Sequence, residues 1–208
     1  MRHIFKLLAA SVAAATICSC SSLTGYPTDA EASYAKAIEI AKKSVDTDKF
    51  KVYSLSFMEG EPLSDNLFLI SVKLVNKDNQ AFSQSYYMTG LEPTALSDVQ
   101  RTFEAPVGID LTKLDAAQIA AQIAQAKTML PEGHSFKSVG SYQIEEDVPA
   151  GNSVFNRNKT FGKQHTSFVV RFTEDGKETE SSAGKTSYIY YEAEVTVEPD
   201  GTLSIEEN

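Results

Sequence analysis

The chain holds no tryptophan, three histidines and two cysteines in 208 residues. Both cysteines, Cys18 and Cys20, fall in the first twenty positions. Everything beyond Cys20 therefore lacks a disulfide, a thiol nucleophile and a thiolate metal site. Past that point only His134 and His165 supply imidazole. A zinc centre draws on at least three protein ligands, so no metal is expected, and no other cofactor is implied. Gly-x-Ser-x-Gly, His-Glu-x-x-His and phosphate-cradling glycine loops are all missing. Positive charge is scarce too: 19 Lys and Arg stand against 28 Asp and Glu, a formal net charge of −9. Such a chain repels nucleic acid and anionic lipid, which argues against either as a bulk partner.

What is present begins with charge (Arg2, Lys6), then an apolar run from Leu7 to Ile17 broken only by Ser11 and Thr16. Small residues around the two cysteines follow. This three-part build is a secretory signal, too short to span a bilayer as a permanent helix. The stretch resembles a bacterial lipoprotein signal, with Ile17 three before Cys20 and the small Ser19 directly before it. The resemblance implies cleavage after Ser19 and lipid on Cys20; the alternative is a secretory signal without lipid. Two or more acyl chains hold a protein to a membrane stably. Loss of residues 1–19 leaves 189 of 208 and takes the charge from −9 to −11, because Arg2 and Lys6 go and no acid does. The Cys-Ser-Ser start resembles lipoproteins of Bacteroidetes-type bacteria. In that group acidic residues beside the cysteine favour surface export; none occurs here before Asp29, so the resemblance implies the periplasmic face of the outer membrane.

The composition, 42% apolar and 23% charged, is that of a globular protein with a packed core. After a tether over 20–27, Thr28-Asp29-Ala30-Glu31 has capping-box spacing, and Tyr34, Ile38, Ala41 and Val45 recur at helical steps, predicting a helix over 29–44. Alternation predicts strands over 50–58, 67–75 and 80–88, with a weaker segment at 95–103. The pattern then begins again. Thr112 to Asp115 repeats the cap spacing, and Ile119, Ile123, Ala126 and Leu130 form a second stripe. Strands are predicted over 136–144, 167–173, 187–197 and 202–205.

These halves read as a duplication. Phe50-Lys51 matches Phe136-Lys137, Phe68/Ile70/Val72 matches Phe168/Val170/Phe172, and Tyr86-Tyr87 matches Tyr190-Tyr191. The fold class is α+β: two similar units, 28–110 and 111–208, each one helix packed on a three- or four-stranded antiparallel sheet. Such units resemble PepSY domains and, in tandem, the β-lactamase inhibitor protein; a cystatin-like fold would fit each half nearly as well. The resemblance is one of topology and carries over no functional residue.

Two features are candidates for binding. The stretch Val148 to His165 holds Arg157, Lys159 and Lys163 with no acid, and also Phe155 and Phe161. A long loop of this kind is often functional. The second is the outward face of the sheet. If Phe68, Ile70 and Val72 face the helix, then Leu67 and Leu69 face away, as do Val169, Tyr188 and Tyr190 in the second half. His134, after Pro131 and Gly133, reads as a solvated loop histidine. The expected function is a non-catalytic, membrane-anchored periplasmic module that binds a protein or peptide, with inhibition of a hydrolase as a narrower form. Two other classes stay open: a cell-envelope hydrolase using paired carboxylates such as Glu192 and Glu194, and an assembly lipoprotein whose sheet edges pair between copies.

Overall fold

The computed structural model describes residues 25–102, 106–148, 161–182 and 185–206. Helix α1 spans Glu31–Ser44 and is followed by β1 (Phe50–Glu59), β2 (Leu67–Asn76), β3 (Gln80–Tyr87) and the short β4 (Arg101–Thr102). A 3-10 turn at Leu111–Lys113 leads into α2 (Ala116–Lys127). Then come β5 (His134–Glu146), β6 (Gln164–Glu174), β7 (Thr179–Ser182), β8 (Lys185–Tyr188), β9 (Tyr191–Val197) and β10 (Leu203–Glu206). The protein is α+β: the described residues form two α-helices and one large antiparallel sheet in the order β10-β9-β6-β5-β1-β2-β3-β4.

That order corrects the expectation of two helix-plus-sheet units. Ser54 to Met58 of β1 pair with Ser141 to Glu145 of β5, so the halves share one sheet. They also share one core. Tyr34 of α1 packs edge-on against Phe57 of β1 and against Tyr142 of β5, with ring centroids 5.7 and 5.9 Å away. The physical reason lies in β1 itself. Both of its edges need hydrogen-bond partners once its apolar side chains are buried, and a central position supplies them.

The strand order is symmetric about the β1–β5 pair, yet the residue matches are out of register. Val72 faces Leu55 and Gln84, whereas Phe172 faces Phe136 and Tyr191. If Val72 corresponds to Phe172, the counterpart of Phe136 is Leu55, not Phe50, and that of Tyr191 is Gln84, not Tyr87. Alternation by itself lets two strands be aligned at several offsets.

The first helix begins at Glu31 with Ala30 as its cap residue, and no side chain caps it. Thr28 does something else. It is 0% exposed, its hydroxyl donates to Asp65 at 2.6 Å, and it accepts the Val139 N–H at 2.8 Å. Val139 lies beyond the last β1–β5 pair, Met58 with Ser141, so no strand residue on that side pairs with it. The Tyr34 hydroxyl donates to the Thr28 carbonyl at 2.7 Å. Thr28 is thus a buried pin between the chain's entry point and the sheet. At α2, Asp115 rather than Thr112 is the cap, accepting from the N–H groups of Ala117 and Gln118.

The expected strand over 187–197 is two strands. Ser187 and Tyr188 pair with Glu180 and Thr179 in a side hairpin. The Ile189 N–H donates to the Glu178 carbonyl, and β9 starts only at Tyr191. The weaker segment at 95–103 is extended but mostly irregular. The N–H groups of Thr94, Ser97 and Gln100 donate to the carbonyls of Ser85, Ser83 and Ala81, which covers the edge of β3.

Candidate binding face

The face positions follow from register. On the helix-covered side one row runs Tyr86, Ile70, Phe57, Tyr142, Phe168, Val195, Ile205 from β3 to β10, each residue paired with the next. All seven belong to the main core or pack on it. One residue along each strand, the side chains point the other way. There the row reads Ser85, Ser71, Ser56, Gln143, Ser167, Thr196, Ser204. Every member is half-buried. Flanking it is a row of Tyr87, Leu69, Met58, Ser141, Val169 and Glu194. Met58 is 36% exposed, and the others before Glu194 are half-buried. On the opposite flank Ser83, Lys73, Ser54, Glu145 and His165 line up. Lys73 pairs with Glu145 at 3.2 Å, and His165 with Asp147 at 2.8 Å. Neither described helix packs on this side. Its far end is closed by a small cluster of Tyr53, Val75 and Ala81 with Val148 against it.

Beside the apolar row sits a charge network. The Glu59 carboxylate has a side-chain exposure of 0% and receives Arg171 Nη1 at 2.5 Å, the Ser138 hydroxyl at 3.0 Å and the Asp65 N–H at 2.7 Å. Arg171 Nε donates to Glu192 at 2.7 Å. Burial works to lower the guanidinium pKa, but the hydrogen bonds to Glu192 and Glu59 outweigh it and hold it above its usual value. Gly140 lies beneath: a Cβ there would stand 2.9 Å from the guanidinium carbon, so a side chain at this position would displace the guanidinium from its present place. Another buried carboxylate, Glu146, receives the N–H groups of Val107 and Gly108, both at 2.7 Å, and ties down the connector to α2.

Of the residues singled out by sequence, Cys20, Phe155, Arg157 and Lys159 lie outside the described residues. Phe161 and Lys163 are exposed, and the Lys163 carbonyl accepts the Asp147 N–H. Tyr188 is 71% exposed, but on the side hairpin rather than on the main sheet. Tyr190 is half-buried with the Arg171 guanidinium 5.7 Å from its ring centre. Among the described ones, Phe161 and Lys163 precede the first residue of β6, whereas Tyr188 and Tyr190 precede or adjoin the start of β9, which pairs with the far end of β6. Leu69 and Val169 do face away from the helices as expected. Leu67 does not: a bulge between Met58 and Glu59 turns it into the core. Phe68 packs on Tyr87 instead of under a helix. His134 is the first residue of β5 and packs edge-on against Phe172 and Tyr191.

Sequence reasoning missed Glu59, Ser138 and Arg171. Arg171 carries a signal, a cation inside the alternating run Phe168 to Phe172. Glu59 carries none, since its partners are 79 and 112 positions away. Two cavities of about 350 Å³ lie at strand ends. One is lined by Thr47 to Lys51 and Val75 to Lys77, the other by Val107 to Asp110, Ile144 and Thr166 among others. Each presents a single carboxylate, Asp48 or Asp110. Among the described residues no group of acids, histidines or cysteines is arranged to hold a metal, and no helix is long and apolar enough to cross a membrane. Comparison with protein families, with curated proteins and with solved structures finds no match.

Proposed function

We propose that this chain is a non-catalytic lipoprotein, anchored through Cys20 at the periplasmic face of the outer membrane, that binds a protein or peptide on its helix-free sheet face. The observation that carries the reading is the row Tyr87, Leu69, Met58 and Val169, apolar side chains interrupted only by Ser141 and aligned on a face that neither described helix covers. Contiguous apolar surface rimmed by polar groups marks a contact site. The carboxylates offered for hydrolysis favour the same reading. Glu192 is engaged by Arg171, and Glu194 lies in an open row rather than a pocket.

The anchor sets the working distance. The Tyr26 N–H donates to Asn66, and the Tyr26 carbonyl accepts the Leu67 N–H, both at 2.7 Å. The fold thus takes hold of the chain at Tyr26. The span from Cys20 to Tyr26 reaches at most about 20 Å when extended. Leu69 is two residues beyond Leu67, so the apolar row sits at the anchored end of the sheet.

A photo-crosslinking residue at Met58 or Val169, in the protein's own envelope, is expected to give an adduct of defined mass, and one at Glu39 on the outer side of α1 is not. Equal labelling from all three positions, or none, would count against a binding face. Labelled palmitate should enter the protein and be lost in Cys20→Ser; incorporation that survives this change would refute the anchor.

A further inference from the structure

We propose that the occupant of this face is an extended, positively charged peptide segment laid across the strands, with its apolar side chains on Tyr87, Leu69, Met58 and Val169. This rests on the reading of the face as a protein or peptide site and adds the chemistry of the partner.

Charge is the first argument. Glu194 continues the apolar row within β9, Glu61 lies two residues past the end of β1, and Glu92 five past the end of β3. All three are exposed, and their carboxylates have no partner among the described residues. Beside the apolar row the bases are engaged: Lys73 by Glu145, and Arg171 by Glu59 and Glu192. Lys51 and Arg101 lie farther along, paired with Val75 and Ala81, and the Lys51 ammonium donates to the Pro106 carbonyl. An incoming lysine or arginine beside the apolar row therefore meets carboxylates that no described residue engages.

The second argument is hydrogen bonding. The side-chain oxygens of Ser85, Ser71, Ser56, Ser167 and Thr196 also have no partner among the described residues. They form a lane of donors and acceptors directly beside the apolar row, stepped by the strand spacing of about 4.8 Å. A peptide main chain that leaves water needs such partners for its N–H and C=O groups. From Tyr87 to Val169 the apolar row crosses four strand intervals, roughly 19 Å, room for about six extended residues.

Other occupants fit less well. A neutral polysaccharide could use the hydroxyls but not the free carboxylates. A second copy of this chain, with net charge −9, would bring like charge to an acidic rim.

The test uses the full-length, detergent-solubilised protein and a fluorescein-labelled ten-residue peptide of alternating leucine and lysine, followed by anisotropy. Two counterparts replace every lysine by glutamate or every leucine by serine. The leucine–lysine peptide should bind at least tenfold more tightly than either and weaken as salt rises. Glu194→Lys, an exposed change that leaves the core intact, should weaken binding about fivefold and flatten the salt dependence. Leu69→Gln with Val169→Gln should weaken it tenfold or more. Equal binding of the glutamate peptide, indifference to Glu194→Lys, or displacement by chitohexaose would each overturn the proposal. Crosslinks from Met58 and Val169 to an acidic partner segment would overturn it too, while leaving the binding face standing.

Discussion

The two faces of this sheet differ by one residue along each strand, and their middle rows have opposite chemistry. The row Tyr86, Ile70, Phe57, Tyr142, Phe168, Val195, Ile205 is aromatic or aliphatic at every position; on the other side one adjacent row is hydroxyl or amide at every position, and the second mixes apolar residues with Ser141 and Glu194. The contrast locates the source of stability. Each large apolar side chain buried on the helix side contributes about 1.5–3 kcal/mol, whereas a half-wet serine contributes little. The helix-free face is therefore free to vary for function, and the helix-covered face is not.

The comparison can be broken most severely at its centre. Phe57→Ala should destabilise the protein by about 3–5 kcal/mol, while its neighbour Ser56→Ala should stay within about 0.5 kcal/mol. Urea midpoints of the two variants measure the difference, and similar losses would mean that the serine face is also packed. Next in size is the charge network beside the apolar row. Arg171→Met leaves the Glu59 carboxylate buried without its cation and should cost about 3 kcal/mol. Glu59→Gln with Arg171→Met should recover most of that loss, and a double variant no better than the single would remove Arg171 as the partner that matters. Thr28→Val strips the hydroxyl from Asp65 and from the Val139 N–H and should cost about 1–3 kcal/mol in the same assay.

A smaller effect should come with pH. Burial pushes the Tyr142 phenol well above its usual value near 10, and burial followed by the nearness of Tyr142, Asp29 and Asp65 does the same to Tyr34. Above pH 10 the unfolded chain releases these two protons and the folded chain keeps them, so stability is full below that pH and falls as pH rises beyond it. Denaturation followed from pH 8 to 12 should show this decline, with Tyr34 and Tyr142 ionising only on unfolding. Early titration of every tyrosine would show that the helix side is wetter than its geometry implies.

Much of the pattern was readable along the chain because it is local. The helices at 31–44 and 116–127 announce themselves through Tyr34, Ile38 and Ala41 and through Ile119, Ile123 and Ala126, all buried. Strand positions in β1, β2, β5 and β6 follow from alternation. The misreadings occur where a bulge or a distant partner intervenes. A bulge sends Leu67 inward, a side hairpin takes Tyr188 away from the sheet, and Thr28 exchanges a helix cap for a partner 111 positions away. The candidate face was half legible. Leu69 and Val169 could be named from alternation, but nothing local shows that they share a row with Met58 and Tyr87.

Period-two and helical spacing state which side of its own element a residue occupies, and composition states that thiol chemistry is absent after Cys20. Both are properties of neighbours in the chain. That β1 lies beside β5, that one core serves both halves, that Ser56 and Ser167 fall in one lane and that Glu59 meets Arg171 are pairings between segments far apart. Register and packing select them only after collapse, when each buried polar group and each strand edge must find a partner at once.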